Sequence, residues 1–282
     1  MIERLAVVGL GLLGGSVAKA ARARGLARSI VAVGRQLATI EAARRDGTVD
    51  EVTTDLAAGL AGADFCLVAT PVTTLERMLP SIWAAAADGA LLTDVGSTKA
   101  SIVGAAERLA AQRPLRFVGS HPMAGSEKSG YAVARADLFH GATVVLTPTE
   151  RTDSGAVDRV AALWETFGAR VLRLDPAAHD RAVAAVSHLP HFVADALVDA
   201  VVRMDAGFFE VAGRGFRDTT RIAAGSPQMW REIFHDNRVA IGEALAVFRK
   251  SLDHLEAMVA AGDGDALERE LDRLKQVRDR LG

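Results

Sequence analysis

The sequence predicts an α/β protein, with a doubly wound, mostly parallel sheet over residues 1–176 and an all-α domain over residues 177–282. Three observations predict it. Near the start, a short apolar run breaks into closely spaced glycines and continues as a helix former. Apolar runs of strand length then alternate with helical patterns as far as Leu174, and from about Pro176 only long helical stripes remain. Such alternation encodes a parallel sheet with helices on both faces, because every parallel connection must cross back over the sheet. The change of pattern at Pro176 marks the expected domain boundary.

The first element is Leu5 to Ser16, LAVVGLGLLGGS, where Gly9, Gly11 and Gly14 stand in Gly-x-Gly-x-x-Gly spacing. One glycine permits a tight turn, the next lets backbone approach a pyrophosphate, and the third lets helix pack closely on strand. The helix N-terminus then offers unpaired N–H groups to phosphate. A Rossmann-type dinucleotide site is therefore expected, with Gly9, Gly11, Leu12, Leu13 and Gly14 against the cofactor.

Ser29 to Val33 reads as the second strand and Gln36 to Asp46 as the next helix. An NAD site has an Asp or Glu near this point to bond the ribose 2′-hydroxyl, and the segment Gly34-Arg35-Gln36 has none. Arg35 instead offers a guanidinium suited to a 2′-phosphate, its plainer reading being a solvated surface arginine.

Strands follow at Asp64 to Thr70, with Pro71 opening a helix, and at Ala90 to Val95, with a helix from Thr98. Phe117 to His121, Thr143 to Thr147 and Arg170 to Leu174 complete the strand candidates. Ligands of such sheets sit at the carboxyl ends of strands, where Thr70-Pro71, Gly96 to Lys99 and His121-Pro122 fall.

In the helical half, Phe192 to Met204 is apolar on nearly every face, which predicts a helix buried on all sides. Ile241, Leu245, Phe248, Leu252, Leu255 and Val259 form a second stripe; Leu267, Leu271, Leu274 and Leu281 form a third beyond Gly262-Asp263-Gly264. Such stripes serve an intramolecular core or a dimer core. They hold more apolar face than this half can hide alone, so a homodimer built around residues 192–204 and 241–259 is expected.

The chain has 282 residues, half of them hydrophobic, enough for a sizeable core. Its net charge of −2 gives no general attraction to nucleic acid or to an anionic membrane, so the expected partner is a small molecule. No uninterrupted apolar run approaches the ~20 residues of a membrane span, and the first strand leaves no room for a signal peptide. The single cysteine, Cys66, lies in the run DFCLVAT and reads as a core thiol, unable alone to staple a fold or build a metal site. A cytoplasmic location is expected.

Three segments are polar where a fold alone would not need them: Gly119 to Glu127 (GSHPMAGSE), Ser187 to His191 (SHLPH), and Gly215 to Arg221 (GFRDTTR). With GLGLLGGS, and with DVGSTK (Asp94 to Lys99), LTPT (Leu146 to Thr149), HDRAVAAVSHLPH (His179 to His191) and MWREIF (Met229 to Phe234), they resemble the TyrA family, the prephenate and arogenate dehydrogenases of tyrosine biosynthesis. The resemblance runs over almost the whole chain. It implies the bare catalytic form, without a fused chorismate mutase or a regulatory domain.

The resemblance implies oxidative decarboxylation of a cyclohexadienyl acid, in which hydride leaves the hydroxyl-bearing ring carbon, the ring carboxylate departs as CO2, and the ring becomes aromatic. His121 is similar to the family histidine that takes the hydroxyl proton, and an imidazole near its reference pKa of ~6.5 suits that task. Arg221 is similar to the arginine that clamps the ring carboxylate, with Arg217 the next candidate. Ser97 and Ser126 match positions near substrate and nicotinamide. His191 matches a position facing the pyruvyl side chain, and His188 one that orients its neighbours. Arg35, Gln36 and Thr39 match NADP-using members, with NAD possible because Gly34 departs from the serine of some NADP forms. Thr70 and Pro71 complete the cofactor set. Prephenate and arogenate both remain as substrates. A 3-hydroxyacid dehydrogenase would need a lysine where His188 and His191 stand, and a nucleotide-sensing interaction protein would have no use for His121 with Arg221.

Overall fold

A computed structural model of the chain describes residues 1–126 and 128–280. Glu127 of the histidine loop and Leu281 of the last stripe lie outside the described residues.

The N-terminal half runs β1 (Ile2–Val8), α1 (Leu12–Ala23), β2 (Ala27–Val33), α2 (Leu37–Arg45), β3 (Glu51–Thr53), α3 (Leu56–Leu60), β4 (Phe65–Val68), α4 (Val72–Ala85), β5 (Leu91–Asp94), α5 (Ala100–Ala110) and β6 (Arg116–Val118). These six strands form one sheet in the order β3-β2-β1-β4-β5-β6, parallel throughout. The chain order reverses between β1 and β4, and that switch point opens a crevice at the strand carboxyl ends. Because side chains alternate across a strand, β1 feeds two cores. Leu5 and Val7 pack with Val17 and Ala21 of α1, whereas Ala6 and Val8 pack with Leu75 and Leu79 of α4. Burial on both faces is why this strand reads as an unbroken apolar run.

The next elements are β7 (Ser120–Pro122), β8 (Thr143–Leu146), α6 (Ser154–Thr166) and β9 (Arg170–Arg173). Here the structure departs from the expected single sheet. Phe117 to His121 is not one strand: β6 closes the large sheet, while β7 pairs antiparallel with β8 and β8 pairs parallel with β9 in a separate three-stranded sheet. The bend falls at Gly119, where a Cβ would lie 2.5 Å from the Thr147 hydroxyl and 2.9 Å from a Val103 methyl. The short, partly polar β3 and α3 carried no clear periodicity and were not expected.

The C-terminal half is helical: α7 (Pro176–Val183), a π-helical turn (Ala184–His188), α8 (Leu189–Asp205), α9 (Arg214–Thr220), α10 (Pro227–Asp236), α11 (Arg238–Ala261) and α12 (Gly264–Asp279). The expectation that residues 192–204 are buried on all sides is not met. On α8 only His191 and Ala194 are buried, while Val202 and Met204 are 50% and 74% exposed. On α11 only Ile241 is buried, and Val247, Leu252 and Val259 face outward. An apolar pattern records that a face is to be covered, not which chain covers it. Among the described residues, the helical run Pro176–Val211 is long and apolar enough to cross a membrane by length and composition alone. Expecting no such stretch rested on uninterrupted apolar runs; this one is broken by the buried polar side chains His179, Asp180, His188 and His191.

Candidate active site

At the switch point the glycines do three separate jobs. Gly9 has φ +94°, and a Cβ on it would meet the Ala69 carbonyl at 2.6 Å. A Cβ on Gly14 would lie 2.0 Å from the Gly9 carbonyl, so the helix can sit this close to the strand only without one. Gly11 has open space around its Cβ position, on the side where a ligand's phosphates would approach. A cavity of about 420 Å³ begins here at Gly11, Leu12, Leu13, Thr70 and Pro71 and runs to Ser97, His121, Ser126 and His188. The Thr70 hydroxyl is buried without a hydrogen-bond partner among the described residues. The glycine cradle and the orphaned hydroxyl both fit a dinucleotide.

Arg35, Gln36 and Thr39 are exposed beyond the end of β2 and do not line this cavity. The Thr39 hydroxyl donates to the Gln36 carbonyl at 2.7 Å, closing the first turn of α2. A Cβ on Gly34 would come within 2.6 Å of an Ile40 methyl, which accounts for glycine at that position.

A buried ion pair places His121. Lys99 donates through Nζ to the Asp94 carboxylate and, at 3.0 Å, to the Ser120 carbonyl. Asp94 accepts in turn from the Ser120 N–H at 3.1 Å and the Gly96 N–H at 2.8 Å. The end of β5 and the start of β7 are thereby tied together one residue before the histidine. Burial pushes Lys99 below its ordinary pKa, against the attraction of Asp94, Asp180 and Asp236.

His121 is buried, with Nδ1 2.9 Å from His179 Nε2; His179 Nδ1 lies 2.8 Å from Asp180 Oδ1. Burial first, then His179, Lys99 and His188, push the His121 pKa well below the ordinary 6.5. The expectation of a near-reference pKa is thus corrected, because the sequence does not reveal the burial. The shift favours the neutral ring. Burial alone would raise Asp180, but hydrogen bonds from His179 and from the Ala100 and Lys99 N–H groups outweigh it and hold the carboxyl below its ordinary value.

His188 is pushed down to about 4 by burial. Asn237 donates through Nδ2 to the Asp180 carbonyl at 2.8 Å and lies 3.1 Å from His188 Nδ1, which must accept. The Nε2 of His188 is therefore an N–H donor, buried at the cavity wall without a partner among the described residues. His191 stacks on Trp230, with ring centroids 3.6 Å apart and planes at 16°. Burial, partly opposed by Asp195, lowers its pKa.

A second cavity of about 310 Å³ shares Ser126 and Trp230 with the first and adds His191 and Arg221. Arg221 sits in the short 3-10 turn Arg221–Ala224 that follows α9. Arg217, one turn earlier, is exposed, donates from Nε to the Ala212 carbonyl at 3.3 Å, and lines neither cavity. The structure therefore places Ser97, His121, Ser126 and His188 on one cavity and Ser126, His191 and Arg221 on a second that shares part of its wall, and leaves Arg35, Gln36, Thr39 and Arg217 outside both. Reading the sequence assigned no role to His179, Asp180, Glu232 or Asn237. All four are buried, and Glu232 lines the first cavity while accepting from the Thr73 N–H at 3.2 Å. The available signal was polar residues within the helical patterns, His179 and Asp180 in α7 and Glu232 in α10, and Asn237 at the break between α10 and α11.

Residues 17–173 match the family model described as prephenate dehydrogenase, nucleotide-binding domain, and residues 175–273 match the one described as prephenate dehydrogenase, dimerization domain. The prephenate dehydrogenase of Bacillus subtilis (strain 168) is 35% identical over 285 residues, covering 100% of this chain and 76% of that protein. Among solved structures, prephenate dehydrogenase from A. aeolicus in complex with hydroxyphenyl propionate and NAD+ superposes with a TM-score of 0.94 at 35% identity, over 100% of this chain and 99% of that one. Synechocystis arogenate dehydrogenase does so with a TM-score of 0.85 at 33% identity, over 99% and 100%.

Proposed function

The chain belongs to the prephenate dehydrogenase family, and we propose from that premise that it oxidatively decarboxylates prephenate to 4-hydroxyphenylpyruvate with NADP in preference to NAD, His121 serving as the base. Arogenate, the substrate named for the Synechocystis relative, is the alternative. The observation that carries this reading is the adjacency of two cavities that share a wall. The glycine cradle, Ser97 and His121 share one cavity, and Ser126 and Trp230 lead from it to His191 and Arg221.

Bound NADP or NAD supplies the hydride acceptor. In the proposed mechanism His121 takes the ring hydroxyl proton as the carbon–hydrogen bond breaks, which a neutral buried imidazole can do without first losing a proton. The bonding pair released when the ring carboxylate leaves as CO2 completes the aromatic ring, and the phenolate oxygen recovers its proton from His121. Arg221 orients the ring carboxylate, a planar and permanently charged fork being suited to it. His188 Nε2–H and Ser97 donate to substrate oxygens, and His191 borders the side-chain end. Arg35, Gln36 and Thr39, exposed beyond the end of β2 and outside the cavity, would receive the 2′-phosphate.

The exposed apolar faces of α8 and α11 are proposed to meet in a homodimer, as the match to a dimerization domain supports. The division into residues 1–176 and 177–282, and a cytoplasmic location, are proposed alongside. Adding prephenate to enzyme and NADP should raise the absorbance of the reduced cofactor, with arogenate and NAD run in parallel. No reduction with any pair would reject the function, and a monomeric mass by light scattering at micromolar concentration would reject the dimer.

A further inference from the structure

We infer that His179, backed by Asp180, is a positioning residue for the base, fixing His121 in the tautomer whose Nε2 carries the lone pair that receives the substrate's proton. This rests on the dehydrogenase reading above only for the identity of the proton donor; the hydrogen-bond chain stands by itself.

The assignment follows from the far end of the chain. Asp180 accepts at Oδ1 from the Lys99 N–H at 2.8 Å and at Oδ2 from the Ala100 N–H at 2.9 Å, so it is held as a carboxylate. A carboxylate beside His179 Nδ1 requires that nitrogen to carry the hydrogen. In the neutral ring Nε2 is then an acceptor, and the atom 2.9 Å away, His121 Nδ1, must donate to it. The lone pair of His121 is left on Nε2. Without this partner, either nitrogen of His121 could bear the hydrogen, and the wrong tautomer would present a donor to a hydroxyl that must itself donate.

His179 is completely buried and lines neither cavity, so it acts through His121 and not on substrate. The groups facing His121 are Lys99 from the turn before α5, His179 from α7 and His188 from the π-helical turn, with Asp94 and Asp180 behind them. Lys99 and His188 disfavour an imidazolium at His121. The Asp180 carboxylate, one ring away, is the counter-charge that makes a transient one tolerable, since an unpaired buried cation is costly. The base sits on the nucleotide-binding half and its counter-charge on the helical half, so productive geometry requires the two halves to be docked. Asn237 extends the same chain from the Asp180 carbonyl to His188, which fixes the second cavity-wall histidine as a donor.

The test uses the whole enzyme. In nitrogen-15 spectra of labelled wild type, the His121 imidazole should show the Nδ1–H form; in His179→Leu, which fills the space but can neither accept from His121 nor donate to Asp180, that form should give way to Nε2–H or a mixture. The same variant should lose about 10²–10⁴-fold in kcat, with KM for prephenate little changed. His179→Gln, whose amide oxygen can still accept from Nδ1–H, should recover part of both the signature and the rate. A wild-type His121 carrying its hydrogen on Nε2, or a His179→Leu enzyme with unchanged tautomer and kcat, overturns the inference. The spectrum needs no turnover, so an error in substrate identity would leave it intact and the two failures can be told apart.

Discussion

Lys99 and Asp94 form an ion pair whose two side chains are both fully screened from solvent, where the end of β5 is tied to Ser120 at the start of β7. Lys99→Met would leave the Asp94 charge buried beside the Ser120 carbonyl with only N–H partners. Breaking such a pair by removing one member costs about 3–5 kcal/mol. Urea denaturation should show that loss as a lower midpoint. A loss below about 1 kcal/mol, the range of exposed pairs, would show the pair to be solvated.

The low pKa of His121 predicts the shape of the kcat profile. Because burial and its positive neighbours hold the ring neutral well below pH 6.5, kcat should stay level through 6.5 and fall only in more acid solution. His121→Asn should lower kcat by about 10²–10⁴-fold with substrate still bound, and should abolish that limb. A wild-type limb centred at or above 6.5, or one that survives in the variant, assigns the base to another group.

Stability should decline over a defined acid window. His188 ionises near 4 in the folded chain and near 6.5 when unfolded, so between those values the unfolded state binds more protons and stability rises with pH. Going down from 6.5 to 4, about 3 kcal/mol should be lost on this account. His121 and His191, both lowered, act in the same direction. Urea midpoints at pH 7 and pH 5 measure the slope, and His188→Gln should flatten it. An equal slope in the variant would clear His188 of the effect.

Arg221→Lys keeps the charge and loses the fork, so KM should rise for a nominally conservative change. Arg221→Ala loses the charge as well as the fork; because Arg221 is exposed in the single chain, the rise in KM should be about tenfold, below the ~2–5 kcal/mol of a buried charge pair. If both variants keep the wild-type KM, the ring carboxylate lies elsewhere, and Arg217 becomes the residue to replace.

On the proposed reading, Arg35→Ala and Arg35→Asp should change the cofactor preference. Charge-assisted hydrogen bonds to a 2′-phosphate are worth about 1.5–3 kcal/mol, so NADP should be favoured by roughly ten- to a hundredfold. Residual NAD activity is expected, since no carboxylate stands at 34–36 to reward the hydroxyl. Arg35→Asp should reverse the preference. Unchanged ratios of kcat/KM for the two cofactors in Arg35→Ala would leave Arg35 a surface arginine.

Much of this protein was determined by local sequence. Gly14 announces the nucleotide turn because the Gly9 carbonyl, five residues back, excludes any side chain there, and Gly9 because its φ of +94° disfavours one. The alternation of apolar runs settles a parallel sheet, since a strand buried on both faces cannot afford polar residues on either. The motifs around His121, His191 and Arg221 mark the candidate site by their order along the chain.

Tertiary structure alone decided the rest. Gly119 splits an apparent strand because Thr147, 28 positions away, fills the space a Cβ would need. The faces of α8 and α11 read as core, yet lie open in the single chain, because a periodic pattern specifies burial without naming the partner. His121 looks like an ordinary histidine until Lys99, His179 and His188 close around it from separate elements. Its pKa and its tautomer depend on desolvation and on hydrogen bonds across 58 residues of chain. Periodicity is a property of neighbours along the chain, whereas the field at a buried nitrogen is set by whatever the fold brings within a few ångströms of it.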